Sequence, residues 1–387
     1  MRLGPLVKVA PVAVAALACV VAGTTATASA PRSAAARWTP ATPLSHAALS
    51  AIAVDGRGRV VVRAQRDGGE LAALGLDARN RRVDVWSNTK RLYADIDGHR
   101  SVIARHDAPR RAEPSLAVAP DGTAVVAWAT DIVGPEDTIW VAQRGRGAPA
   151  FGPPRMVGQP NGSAPIALID GRDRATVVWA QRLPDAADSG VAVAQSPPGG
   201  SLRRPFTLAK GLFISDAGAA VAPNGRVVVA WADTHGVHAA QRKPRRYAFD
   251  GARTLLDVSH PNGTAAVAID RRGTATIAAE PQVGDSPPVV TVARWPAGDD
   301  PKTARLLPNR YEPRLVTTPE GTAVVYSQLD SGRATARRPL LTLTPFGGVI
   351  ALRGPTDAPM LASGPTGAVA VWPTGDEGTR TVSSRLP

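Results

Sequence analysis

Short runs of small apolar residues, each broken by a tight polar turn, recur along the chain from Leu49 onward. The clearest copy is Ser115-Leu116-Ala117-Val118, then Ala119-Pro120-Asp121-Gly122-Thr123, then Ala124-Val125-Val126-Ala127-Trp128. This reads as strand, turn, strand: the runs are strand-length, rich in Val, and closed by residues that reverse the chain. Matching turns stand at Asp55-Gly56-Arg57-Gly58, Gly171-Arg172-Asp173, Pro223-Asn224-Gly225, Arg271-Arg272-Gly273, Pro319-Glu320-Gly321 and Pro365-Thr366-Gly367. Glycine in them supplies the positive φ of a two-residue hairpin turn. Each second strand leads through a polar loop to a third, such as Ile139–Arg144, Val191–Gln195 or Val237–Arg242, and then to a fourth announced by Phe151 or Phe249.

Measured at residues 58, 122, 173, 225, 273, 321 and 367, the repeat has spacings of 64, 51, 52, 48, 48 and 46. A period of about 40–50 residues with four strands per unit is that of a β-propeller blade. The expected fold is therefore all-β: a seven-bladed β-propeller of four-stranded blades, with an insertion between Asn88 and His106 lengthening the first interval. The last unit stops one strand short. The segment from Trp38 to Leu44 has the look of the missing strand, so an N-terminal strand is expected to close the ring by pairing with the last blade, which removes exposed edges. Trp128, Trp179, Trp231 and Trp372 share one position, at the end of the second strand. They read as wedges setting the spacing between blades rather than as a stacking platform for sugars, because residues locked to a repeat serve the repeat.

Residues 1–28 have the form of a signal peptide: basic Arg2 and Lys8, an apolar stretch from Val9 to Ala22, and Ala26-Thr27-Ala28 as an A-x-A cleavage site. Ala28-Ser29-Ala30 is an alternative site. Residues 29–387 are then one propeller domain, secreted or extracellular. Cys19 is the single cysteine. It closes a degenerate lipobox, and lipid anchoring through it is the alternative to release. No segment after processing suggests a membrane span, the mature chain has no disulfide, and a monomer is expected.

Charge alters this picture. The formal net charge is +13, and only five of the 45 basic residues are lysine. With the strands of a unit named a to d, the b–c and d–a loops share one face and the a–b and c–d loops the other. Acids gather in the b–c loops: Asp131, Glu136, Asp137, Asp185, Asp188, Asp233, Glu280, Asp285 and Asp330 are candidates for holding a ligand. Bases gather in the c–d loops. Arg203, Arg204, Arg242, Lys243, Arg245 and Arg246 are candidates for binding a polyanion, and Arg79, Arg81, Arg82, Arg144 and Arg146 belong to the same class. Such a rim suits an anionic polymer of the cell envelope or another protein. Nucleic acid is not expected, since no helix or ribbon fits a groove.

Several chemical motifs fail on inspection. Gly145-Arg146-Gly147-Ala148-Pro149-Ala150 fits G-x-G-x-x-A, but Pro149 and the all-β setting exclude the phosphate-binding helix. His235 and His238 lack a third ligand at zinc-site spacing. Asp95-Ile96-Asp97-Gly98 begins like a calcium loop without its closing Glu. No cofactor or metal is called for. In repeat length and exported all-β architecture the chain resembles secreted bacterial propellers of the sialidase-like group. The group's Arg-Ile-Pro segment and Asp boxes are missing, and only Arg310-Tyr311-Glu312, expected in a d–a loop, is similar to its catalytic chemistry. The reading that follows is a non-catalytic binding or scaffold propeller of the cell exterior. The alternative is a carbohydrate-active hydrolase or lyase with paired carboxylates on the acidic b–c/d–a face.

Overall fold

The computed structural model describes residues 42–45 and 49–386, apart from 65–70, 89, 106–113, 131–137, 159–161, 184–187, 213, 215–216, 258–264, 280–288, 309, 319–320, 329–339, 344–348, 353–359, 365–366 and 375–379. The chain divides into Met1–Ala35 and Ala36–Pro387, and every described residue belongs to the second unit. The signal-peptide and Cys19 readings therefore lie outside the described residues. Every element described is a β-strand, and none is a helix that could cross a membrane.

Six consecutive four-stranded antiparallel sheets span 71–105, 115–156, 162–212, 217–257, 265–308 and 310–352, each with its strands in chain order. A seventh consists of Met360–Gly364, Gly367–Thr374 and Arg380–Leu386, with Thr42–Ser45 as its outer strand. Thr42 lies opposite Ser383 and Pro43 opposite Val382. Leu49–Val54 and Val60–Ala64 form a two-stranded sheet of their own. The first strands of successive sheets lie side by side, and the last, Met360–Gly364, packs against Leu49–Val54. Between first strands the link is a side chain rather than a backbone ladder. Ser115 Oγ accepts from the Ala167 N–H at 2.9 Å, and Ser363 Oγ from the Thr317 N–H at 3.0 Å.

The first unit differs from expectation. Residues 49–64 were to begin a four-stranded unit that ran on through Arg79, Arg81 and Arg82 as its c–d loop, with an insertion at 88–106. Instead 71–105 is a complete sheet, and Asp77–Arg81 is its a–b turn. The turn escaped detection because Asn80, at φ 60°, occupies the place glycine holds elsewhere. The turns also prove one residue longer than expected. Gly58 donates to Asp55 O and Asp55 to Arg59 O, a three-residue loop whose last residue is left-handed. Gly122, Asp173, Gly225 and Gly273 repeat this geometry.

Apolar faces of neighbouring sheets make the core. Trp128, Trp179 and Trp231 are each 1–2% exposed and pack with residues of the preceding sheet: Trp128 with Val85 and Leu92, Trp179 with Ile139 and Val141, Trp231 with Val178 and Val191. The sheet 265–308 has Ala279 at that position, and Trp295 from its third strand joins the equivalent cluster with Val228 and Val237. The wedge reading holds for these three tryptophans. The side chain of Trp372 is outside the description.

Candidate functional site

The a–b turns carry a side-chain lock that sequence reasoning missed. In Asp170-Gly171-Arg172-Asp173-Arg174, one carboxylate oxygen of Asp170 accepts from the N–H groups of Arg172 (2.9 Å) and Arg174 (3.1 Å). The other accepts Arg174 Nε at 2.7 Å. Asp55 with Arg57 and Arg59, and Asp77 with Arg79 and Arg81, repeat the arrangement bond for bond. The spacing Asp-x-x-x-Arg was the available signal, readable in all three turns. Burial pushes the Asp77 carboxyl up, but the Arg81 and Arg79 N–H groups and the Arg81 guanidinium outweigh it and hold the carboxyl below its ordinary value.

Two of these locks, at Asp77 and Asp170, also cover the next turn. A Cβ on Gly225, whose φ is +91°, would lie 2.5 Å from Arg174 Nη2 and 2.8 Å from Asp170 Oδ2. Gly122 stands in the same relation to Arg81, at 2.8 Å. These glycines therefore meet two demands, a left-handed backbone and the close approach of a neighbouring guanidinium.

Three third strands carry a glutamine at or next to their last residue, Gln143, Gln195 and Gln241, and the first two grip the c–d loop of the following sheet. Gln143 donates to Gly200 O and accepts the Leu202 N–H, and Gln195 donates to Tyr247 O at 3.0 Å. At the junction of sheets 162–212 and 217–257 this network is at its most complete. Arg242, 0% exposed, donates to Gln195 Oε1, to Thr176 Oγ1 at 3.2 Å and to Gly225 O at 3.3 Å, and its Nη2 lies 3.7 Å from Asp170 Oδ2. Arg174 Nη1 donates to Arg246 O at 3.2 Å. Burial, reinforced by the neighbouring Arg174 charge, pulls Arg242 down to about 10, while Asp170 opposes the shift. Arg242 stays charged at neutral pH. It is an internal brace here, not an open rim residue, because its sheet's loop and the adjoining turn close over it.

The other five polyanion candidates are exposed: Arg203 and Arg204 on one c–d loop, Lys243, Arg245 and Arg246 on the next. The two loops meet. Arg203 stands over the Tyr247 ring at 5.1 Å, and Tyr247 is 41% exposed. Phe206, 42% exposed, lies beside Phe249 at 6.4 Å between ring centroids. Asp250 is the acid in partial contact, 3.5 Å from Lys243. The sequence-level contrast between faces is softened by the a–b turns, which put Asp55, Asp77, Asp121, Asp170, Asp173 and Asp270 on the basic side. Asp121 and Asp173, from adjacent turns, interact directly. Burial, then the charges of Asp121 and Asp170, push Asp173 up.

On the opposite face, most ligand candidates lie outside the description: Asp131, Glu136, Asp137, Asp185, Glu280, Asp285 and Asp330. Asp188 begins the strand Asp188–Gln195, with its side chain undescribed. Asp233 is 6% exposed and already engaged, accepting from the His235 N–H (2.8 Å) and hydrogen-bonded to His238 Nε2 (3.0 Å). His238 in turn meets Thr254 Oγ1 at 3.2 Å and stacks on Trp231. Among the described residues no group of three His, Cys, Asp or Glu is placed to hold a metal. Gly145–Gly147 and Asp95–Gly98 are plain turns, with Gly147, Asp97 and Gly98 at positive φ. Tyr311 and Glu312 lie on the strand Arg310–Thr318 rather than in a loop.

With this geometry in hand, the chain aligns over 91% of its length with 95% of the solved Dos1 propeller, at a TM-score of 0.56 and 10% identity. The fold is a β-propeller. Weaker likenesses are the polysaccharide lyase Uly1, at 0.48 and 10% identity over 90% of this chain and 99% of that one, and the α-L-arabinofuranosidase Arb93A from Fusarium graminearum, at 0.44 and 12% over 89% and 98%. The propeller fold rests on the Dos1 likeness together with the order of four-stranded sheets. No protein-family model matches the sequence, and no curated protein matches it.

Proposed function

We propose that this propeller is a secreted, non-catalytic binding protein of the cell exterior that takes an anionic polymer on its a–b/c–d face. Its seven four-stranded blades and the 49–64 hairpin make one circuit, closed by the pairing of Thr42–Ser45 with the last blade. The observation that carries the reading is the exposed group Arg203, Arg204, Lys243, Arg245 and Arg246 around Tyr247, on loops held in place from below. Loops fixed before binding lose little entropy on contact, and guanidinium groups pair well with carboxylate, sulfate or phosphate. The alternative, a carbohydrate-active enzyme on the acidic face, draws some support from the Asp233–His238–Thr254 contacts. Asp233 is committed to its own loop and to His238, however, which leaves it poorly placed to flank a glycosidic bond.

Binding to immobilised heparin and to teichoic acid is the test. Retention should fall steeply with added salt, and replacing Arg203, Lys243, Arg245 and Arg246 by Ser should move elution to markedly lower salt without changing the melting temperature. Unchanged retention would remove this rim as a binding surface. Turnover of chromogenic glycosides abolished by Asp233→Asn would favour the enzyme reading instead.

A further inference from the structure

The two-stranded sheet 49–64 stands where seven others have four strands. Among the described residues no strand pairs with the outer side of Val60–Ala64. The turn bond from Asp55 N to Arg59 O fixes which groups face outward. Hydrogen-bonded and non-bonded pairs alternate along an antiparallel ladder. Val61, opposite Ala53, bonds inward, while the N–H and C=O groups of Val60 and Val62 point to the open edge. Natural proteins cover or blunt such edges, since an extended chain pairs with them readily.

The neighbouring wall is equally unfinished. Sheet 71–105 buries one face, with Val85, Leu92 and Ile103, against sheet 115–156. Its other face looks toward the hairpin: Arg63 on the edge strand bonds Asp84 at 2.7 Å and lies over the Trp86 ring at 4.2 Å. Farther out on that face Tyr93 stacks on Trp86, Arg100 covers both rings, and Val102, opposite Tyr93, is 46% exposed. Third and fourth strands on the hairpin would cover this outer part. Charge indicates what replaces them. Asp84 is taken by Arg63 and Arg82, both bonded to one oxygen. Asp95 is bound by the Gly98 N–H. Arg91 and Arg100, on either side of Tyr93, remain exposed.

We propose that the edge Val60–Ala64 is a docking site for an extended acidic segment of a partner protein, added as a third strand. Main-chain bonds to Val60 and Val62 supply the affinity. Of the partner residues facing sheet 71–105, an apolar one meets Tyr93 and Val102, and the carboxylates two places away on each side meet Arg91 and Arg100. This surface is separate from the polyanion rim, lying on the hairpin and its flanking sheet.

The test is binding of a fluorescent Thr-Glu-Thr-Val-Thr-Glu-Thr peptide to the full chain, by anisotropy, with a Lys-for-Glu peptide as control. The acidic peptide should bind and the basic one should not. Val62→Pro removes an outward N–H while leaving the inner ladder intact, and should weaken binding at least tenfold. Arg100→Glu, on an exposed side chain, should weaken it severalfold with the fold unchanged. Slowed amide exchange at Val60 and Val62 with peptide would locate the contact independently of either variant. The proposal is overturned by equal affinity in wild type and both variants, or by no binding at millimolar peptide. It is also overturned by a concentration-dependent dimer that Val62→Pro dissociates, which assigns the edge to a second copy. Protection of the Val62 amide in the free protein would assign the edge to this chain's own residues.

Discussion

Two junctions between neighbouring sheets use the same chemistry and finish differently. Where sheet 162–212 meets 217–257, Asp170, Arg174 and Arg242 are 0–3% exposed, and neutral acceptors from both sheets take most of the guanidinium hydrogens, with Arg174 Nη2 and Arg242 Nε left without a partner. Where the hairpin 49–64 meets 71–105, Asp84 again binds two arginines, but Arg82 is 37% exposed and the stack continues outward through Trp86, Tyr93 and Arg100 into open surface. The difference lies in what covers the ion pair. Two four-stranded sheets bring c–d loops to the first junction, and among the described residues the two-stranded sheet brings none to the second. A buried charge is tolerable when a counter-charge and hydrogen-bond acceptors surround it. The first junction therefore reads as a brace and the second as a surface.

The largest expected effect is at the brace. Asp170→Ala leaves Arg174 and Arg242 facing each other without a carboxylate and should cost about 3–5 kcal/mol, measured by urea denaturation. Asp84→Ala, at a junction water can reach, should cost less. Equal losses would erase the distinction between the two junctions. Next come the glycines. Gly225→Ala forces a Cβ onto Arg174 and Asp170 in addition to its backbone strain, whereas Gly98, at φ +92°, has nothing within 4 Å. Gly98→Ala should cost about 1–2 kcal/mol from backbone strain alone, and Gly225→Ala clearly more. Matching melting temperatures would mean the lock gives way easily.

A smaller effect should follow pH. Asp77 has its folded value lowered, so its contribution is present above the ordinary unfolded value of about 3.9 and is lost as pH falls through the folded one. Asp77→Asn should destabilise at pH 7 by about 1–2 kcal/mol, with the deficit shrinking below pH 4. Asp173 has the opposite sign. Its folded value is raised, so ionisation works against folding, beginning as pH passes about 3.9 and reaching its full extent above the folded value. Asparagine keeps the tolerance of a positive φ, here 61°. Asp173→Asn should thus stabilise slightly at pH 7 and be neutral in acid. A destabilised variant at pH 7 would show that the charge, not the turn shape, is what this position needs.

The repeat was legible because the sheets bury apolar faces against their neighbours, and Val/Ala runs of strand length supply much of that surface. The wedge tryptophans were legible for the same reason. Sheet 71–105 was not, because its turn carries Asn80 where Gly58, Gly122, Gly225 and Gly273 meet the same φ requirement in other turns. Arg242 was misplaced on the rim because a loop count treats every charge as solvated. Its burial depends on Gln195, Thr176 and Gly225, which are 47, 66 and 17 residues away in the chain.

The sequence by itself determined an all-β repeat, its four-stranded unit, its turns and the abundance of arginine. Those are local properties: strand propensity, a left-handed turn residue and a side-chain type are all written within a few neighbouring positions. Which arginines brace and which remain open was decided only by the tertiary structure, as was which sheet has two strands among the described residues. Both depend on what an adjoining unit places over a given side chain, and residues of neighbouring units come together only when the sheets pack face to face.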